Sequence, residues 1–241
     1  MKRQSKNLSS LLEHHLNAYA SAASAAGVGI LAMGKSAEAK IVYSKTHHVV
    51  GKNSVFQLDL NHDGTIDFTI QNRNCPYGGS NGGTSCTSSS WNLLTAVGAS
   101  GNSVVGTNQR FSFWAADLKA GMRISNKQTF ARMGMMAHQC VGVACSVTSR
   151  THTSGNWPNV RNRYLGLKFQ IDKKTHYGWA RLSVKTSKKP LLTTGALTGY
   201  AYETIPNKPI IAGKTKGPDV ITLKPGSLGP LAQGLAGRLG K

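Results

Sequence analysis

The chain has 241 residues, with 29 Lys and Arg against 9 Asp and Glu, so its formal net charge is +20. So large a cationic excess should attract polyanions. The sequence carries no motif of a specific nucleic-acid module, such as aromatic-bearing strands in register with the charges, and no uninterrupted apolar run of membrane-spanning length follows residue 39.

Residues 1–39 have the three-part layout of a secretory signal peptide. Lys2, Arg3 and Lys6 give a positive start, an alanine-rich apolar stretch covers residues 18–33, and Ala37-Glu38-Ala39 forms an A-x-A cleavage box. An amphipathic helix is the plainer alternative, but the small-residue composition and the placement of the box favour export. The expected location is secreted, either extracellular or cell surface, with the periplasm as a variant. Cleavage before Lys40 removes four basic residues (Lys2, Arg3, Lys6, Lys35) and two acidic ones (Glu13, Glu38), leaving 25 and 7. The remaining length suffices for one domain with a real core, placed at residues 40–213.

From residue 40 the pattern is one of short strands and turns. Residues 41–43, 49–50 and 54–60 are β-branched or alternating runs. Phe56, Leu58 and Leu60 alternate with Val55, Gln57 and Asp59; after a polar interval Ile66, Phe68 and Ile70 alternate with Asp67, Thr69 and Gln71. A period of two on both flanks predicts a β-hairpin. Its tip, Asp59-Leu60-Asn61-His62-Asp63-Gly64-Thr65-Ile66-Asp67, sets oxygen side chains at loop positions 1, 3, 5 and 9 and glycine at 6, the ligand spacing of a calcium loop. Asp59, Asn61, Asp63 and Asp67 are the candidate side-chain ligands, with the Thr65 carbonyl contributing. Crowded carboxylates raise one another's pKa unless a cation neutralises them. An EF-hand would need flanking helices and usually a glutamate at position 12, where Ile70 stands. The plainer reading is a metal-free tip whose Asp, Asn and Gly residues form Asx turns. The spacing favours a structural Ca2+.

Residues 74–90 are rich in Gly, Ser, Thr and Asn and read as a long surface loop. Gly78-Gly79-Ser80-Asn81-Gly82 is a formal G-x-S-x-G match, but glycine-rich surroundings lack the strand and helix of a nucleophile elbow. The four cysteines are Cys75, Cys86, Cys140 and Cys145. An even count in an exported chain favours disulfides, and Cys75–Cys86 with Cys140–Cys145 is the simplest of three connectivities. A zinc site is disfavoured because Cys75 and Cys86 lack paired-ligand spacing.

Residues 91–97, 104–105, 111–114 and 130–136 are further candidate strands. Residues 115–121 suggest a helical turn ended by Gly121, and residues 146–162 look polar and turn-like. The clearest strands come late, at 164–171 and 176–184 around a turn at 172–175, followed by 197–204. Many short strands with little helix predict a mainly β fold, a β-sandwich or jelly-roll.

The runs Tyr164-Leu165-Gly166-Leu167-Lys168-Phe169, His176-Tyr177-Gly178-Trp179-Ala180-Arg181-Leu182 and Tyr200-Ala201-Tyr202-Glu203 resemble a group of exported bacterial proteins, mostly of unknown function, that end in PEP-CTERM-like sorting tails. The segment from Pro225-Gly226-Ser227-Leu228-Gly229-Pro230 to Arg238 is similar to a degenerate tail of that kind. It lacks Pro-Glu-Pro, and Gly226, Gly229, Pro230, Gly234 and Gly237 break its apolar stretch, which argues against membrane anchoring. Residues 214–241 are accordingly expected to form a flexible basic tail. The resemblance implies an exported architecture and transfers no catalytic residue.

Outside the calcium-like loop the acids are Asp117, Asp172, Glu203 and Asp219. Glu203 and Asp117 could form a glycosidase pair, but solvated or ion-paired acids are the plainer reading. The six histidines after residue 39 are dispersed, and His47-His48, adjacent on a strand, would point to opposite faces. Tyr177, Trp179, Tyr200 and Tyr202 are a candidate ligand face, since residues two apart on a strand share a face, although core packing accounts for the same spacing. The basic residues are scattered along the chain apart from Lys173-Lys174 and Lys188-Lys189, which suits solubility slightly better than recognition. The sequence reading is an exported, non-catalytic, calcium-stabilised cell-surface or extracellular-matrix protein, with an anionic polysaccharide or envelope polymer as partner. A carbohydrate-binding module and a secreted glycan hydrolase are the alternatives.

Overall fold

The computed structural model describes residues 40–81, 84–109, 112–145 and 147–223. The expected signal peptide and residues 224–241 of the expected tail lie outside the described residues.

The chain is almost entirely β. It opens with β1 (Ile41–Val50), β2 (Val55–Leu58) and β3 (Phe68–Cys75), then the two-residue strands β4 (Ser80–Asn81) and β5 (Thr84–Ser85). Next come β6 (Ser89–Gly98), β7 (Ser103–Gln109), β8 (Ser112–Ala115), β9 (Arg123–Ile124), β10 (Phe130–Ala131) and β11 (Met133–Gly142). After a 3-10 turn at Val143–Cys145 follow β12 (Val147–Ser154), β13 (Arg163–Ile171), β14 (Lys174–Lys188), β15 (Leu191–Glu203), β16 (Ile210–Ile211) and β17 (Val220–Leu223). One mixed sheet of 13 strands runs β17-β1-β15-β14-β13-β7-β8-β11-β6-β3-β2, with β10 on β7 and β12 on β11. The sheet curls on itself like a sandwich: Phe68 of β3 meets Phe169 of β13 at 6.5 Å between ring centroids.

Alternation explains the packing. Leu58, Phe68, Ile70, Leu94 and Ala96 from one half meet Leu165, Leu167, Phe169, Leu182, Val184 and Leu197 from the other in the main core. The β14–β15 half is also covered on its outer face. There Ile41, Tyr43, Tyr164, Tyr177, Trp179 and Ala201 pack beneath Leu118, Ile124, Ile210 and Ala212 of the connecting segments, which β9 and β16 clip together. Burial on both faces shows in β14 as an unbroken run of buried residues from His176 to Ala180.

Three segments differ from the sequence reading. Residues 115–121 form no helix; Leu118 bridges to Tyr164, and the chain then makes a tight turn at Ala120–Gly121, where the Met122 N–H donates to Lys119 O, with Leu118 and Ile124 buried against the sheet. Residues 147–154 are strand β12, paired among the described residues with β11 alone, and such an edge position needs no apolar alternation. The domain also extends past residue 213: β17 pairs parallel with β1, with Ile41 opposite Val220 and Ser44 opposite Leu223, so residues 214–223 belong to the fold and not to a flexible tail.

Beside the β2–β3 tip Leu58, Leu60, Phe68 and Phe169 of the main core lie next to the buried Asp67 and Asn102. At the far end Asn72, Asn74, Asn92, Gln139 and Thr193 are buried; Gln139 Nε2 donates to Ser187 O and Thr193 Oγ1 donates to Gln139 Oε1.

Candidate metal centre

β2 and β3 pair from Val55–Gln71 to Leu58–Phe68, which makes residues 59–67 the hairpin tip. The flanking alternation fixes this register, because a one-residue slip would expose Leu58, Phe68 and Ile70. Within the tip His62 (φ 63°) and Gly64 (φ 88°) take left-handed conformations. Asp59 curls the chain around its carboxylate: Oδ1 accepts the N–H groups of His62 (2.6 Å) and Asp63 (3.2 Å), and Oδ2 accepts that of Gly64 (2.8 Å). Asp63 Oδ1 accepts the Thr65 N–H at 2.8 Å, and its Oδ2 accepts Asn61 Nδ2 at 2.9 Å. Partial burial pushes the Asp63 carboxyl up, but the hydrogen bonds from Asn61 and Thr65 outweigh it and hold the group below the ordinary carboxylate range.

Asp67 closes the tip from inside. It is 5% exposed, its Oδ2 accepts the Leu60 N–H at 2.8 Å and its Oδ1 accepts Asn102 Nδ2 at 3.2 Å. Burial, helped by the charges of Asp63 and Asp59, lifts its pKa to about 6 despite those bonds. All five expected ligand residues are therefore gathered in one compact turn. Among the described residues no three His, Cys, Asp or Glu side chains converge as a metal-binding group. Such a group would leave out the amide and carbonyl oxygens of a calcium loop.

One atom tests the fit. Asn61 Oδ1, the expected ligand at loop position 3, is buried and accepts no hydrogen bond. A buried carbonyl oxygen without a partner is costly, and a hard cation would satisfy it. The donor set, three carboxylates and an amide oxygen, suits Ca2+ and not a soft metal. Asx-type bonds account for the Asp59 contacts with or without metal; they do not account for Asn61 Oδ1.

Contacts that the sequence reading did not anticipate hold the tip in place. His62 Nε2 lies 3.0 Å from Ser44 Oγ and 3.3 Å from the Tyr200 hydroxyl, which docks the loop on β1 and β15. Asn102, from the β6–β7 turn, reaches Asp67. No spacing rule announces these partners, since each lies far away in sequence.

The other candidates are dispersed. Tyr177 and Trp179 lie in the outer core, whereas Tyr200 belongs to the main core and Tyr202 packs against it. Pairing of Trp179 with Ala201 and of Ala180 with Tyr200 puts the two aromatic pairs on opposite faces of the sheet. The spacing within each strand is right, but the register separates the pairs and no common ligand face forms. Half-buried Tyr202 does border a shallow cleft of about 360 Å³ with Ile171, Asp172, Lys174, His176, Thr204 and Pro206.

The two acids suggested for hydrolysis are both engaged. Glu203, 2% exposed, pairs with Lys208 at 3.4 Å and accepts the Ile205 N–H; Asp117 pairs with Arg163 at 3.5 Å. Ser80 lies in a two-residue strand inside the Cys75–Cys86 loop, and the next described element is another two-residue strand, Thr84–Ser85, and not a helix. The disulfides are Cys75–Cys86 and Cys140–Cys145, with Cα separations of 6.1 and 5.9 Å. His48 stacks on Phe56, and His176 is buried with Nδ1 2.9 Å from Glu203 O.

No protein-family model matches this chain, and no curated protein or solved structure is significantly similar to it.

Proposed function

We propose that this is an exported, non-catalytic protein of the cell surface or extracellular matrix, stabilised by Ca2+ at Asp59, Asn61, Asp63, Thr65 and Asp67, that binds anionic polymers through its basic surface. The observation that carries the reading is the distribution of charge. Seven acids stand against 25 basic residues after position 39. Three of the seven lie in the hairpin tip, and Asp117, Glu203 and Asp219 are each ion-paired. Few negative groups remain to neutralise the other cations, so a polyanion finds a surface with little internal competition.

The test is retention of the purified protein on immobilised polygalacturonate against neutral dextran over a series of NaCl concentrations. Binding should be confined to the acidic polymer and fall steeply with salt. Equal retention on dextran, or binding indifferent to salt, would sink the polyanion reading. N-terminal sequencing of protein recovered outside the cytoplasm should begin at Lys40; an intact Met1 there would contradict signal cleavage.

A further inference from the structure

We infer that one end of the sandwich, opposite the hairpin tip and framed by the two disulfides, is a docking face for an acidic polysaccharide; this rests on the polyanion-binding reading above and assigns it a place. The carboxylates are segregated. Asp59, Asp63 and Asp67 lie in the tip, and Asn102 ties the tip to Gln170, beside the turn that holds Asp172. Glu203 is opposite Ile41, whose N–H donates to Asp219 O, at the β1 end nearest the tip. Six of the seven acids after position 39 thus share one end, and the seventh, Asp117, is held by Arg163.

The far end carries Lys52, Arg73, Arg150, Lys185, Lys188 and Lys189. Hydrogen bonds join the segments that bear them. Asn53 Oδ1 accepts the Asn74 N–H at 2.7 Å, linking the Lys52 turn to the end of β3, and Gln139 Nε2 reaches Ser187 O at 3.1 Å, linking β11 to the β14–β15 turn. Lys185 pairs with Thr194 and Lys188 with Leu191 at that same end. Lys52, Arg150, Lys185, Lys188 and Lys189 are all exposed. None of the six meets a carboxylate in an ion pair within 4.0 Å among the described residues.

Aromatic surface adjoins these charges. Cys75, Trp91 and Cys140 lie opposite one another on three adjacent strands, so the disulfide loops flank Trp91. Trp91 is half-buried under the Arg73 guanidinium, 5.8 Å from its ring centroid, and Tyr77 in the first disulfide loop is 72% exposed. Cations supply attraction to carboxylate or sulfate groups, and aromatic rings supply faces for sugar rings. Both chemistries on one end fit an acidic polysaccharide.

The test compares two variants of equal charge change. Lys52→Gln, Lys185→Gln, Lys188→Gln and Lys189→Gln together should weaken binding to polygalacturonate and dextran sulfate by about tenfold or more at low salt. Lys119→Gln, Lys127→Gln, Lys174→Gln and Lys216→Gln, all at exposed lysines elsewhere, should change it less than about threefold, in line with loss of general attraction alone. Trp91→Ala should weaken binding in a way that high salt does not erase. Equal losses in the two quadruple variants would overturn the assignment of this end while leaving polyanion binding intact. Failure of the unaltered protein to bind either polymer would overturn both. Tighter binding of single-stranded DNA than of polygalacturonate would overturn the assigned partner.

Discussion

Asn102 holds Asp67 twice: its Nδ2 donates to the carboxylate Oδ1 at 3.2 Å and to the main-chain carbonyl at 3.1 Å. The same side chain accepts the Gln170 N–H on Oδ1 at 3.0 Å, so one buried amide joins the hairpin tip, the β6–β7 turn and the end of β13. Asn102→Ala removes all three bonds and strips a donor from a buried carboxylate. It should cost about 2–4 kcal/mol, given net values of about 1 kcal/mol for a neutral bond and more for one to a charge. Urea unfolding in the presence of chelator measures this, and an unchanged midpoint would refute the bridging role.

Calcium should raise the melting temperature of the protein, and Asn61→Ala should abolish most of that rise. Saturation at about 100 times Kd adds about 2.7 kcal/mol to stability. The variant also loses the exposed Asn61 Nδ2 bond to Asp63, so its stability under chelation should fall by about 1 kcal/mol, and the calcium response is read from that lower baseline. Magnesium, which demands a tighter octahedral shell, should act more weakly. A full calcium response in Asn61→Ala would remove that residue from the ligand set.

The Asp67 carboxyl, lifted to about 6 from an ordinary value of 3.8, sets a pH dependence opposite in sign to that of a salt-bridged acid. Between about pH 4 and pH 6 the folded chain retains this proton and the unfolded chain does not. In chelator, stability attributable to Asp67 should therefore fall as pH rises through that window and level off above it, a loss of about 1–3 kcal/mol. Asp67→Asn should flatten that part of the profile. Chemical denaturation of both proteins from pH 4 to pH 7 reads the difference, and parallel profiles would exclude a raised pKa at this site.

The two disulfides should differ in worth. Their sequence separations are 11 and 5, for which loop-closure entropy gives about 2.8 and about 2 kcal/mol. Replacing Cys75 and Cys86 with Ser should therefore destabilise more than the same change at Cys140 and Cys145. Denaturant midpoints of the two double variants provide the comparison, and the reverse order would show that native contacts, and not chain entropy, dominate.

The fold class was legible because period-two alternation and burial on one or both faces are local signals, strongest in β13 and β14. The tip was legible for the same reason, since all five expected ligands fall within nine residues. Edge strand β12 escaped because Val147–Ser154 lacks an apolar alternation. β17 escaped because four residues lying parallel to β1 have no turn signal. The aromatic face failed on register: residues 177 and 179 share a face, as do 200 and 202, but only cross-strand pairing decides whether the two faces coincide. Charge behaved similarly. Lys52, Arg73, Arg150 and Lys188 are scattered in sequence, and topology brings them to one end.

The pairing of β1 with β15 and β17 has a kinetic consequence. The first strand of the domain finds its neighbours in residues 191–203 and 220–223, so almost the whole domain must emerge before β1 can join the sheet. Contacts this distant in sequence form slowly. The hairpin of β2 and β3 and its neighbour β6 can pair as soon as they are made, whereas the opposite edge of the sheet closes only when the last strands arrive.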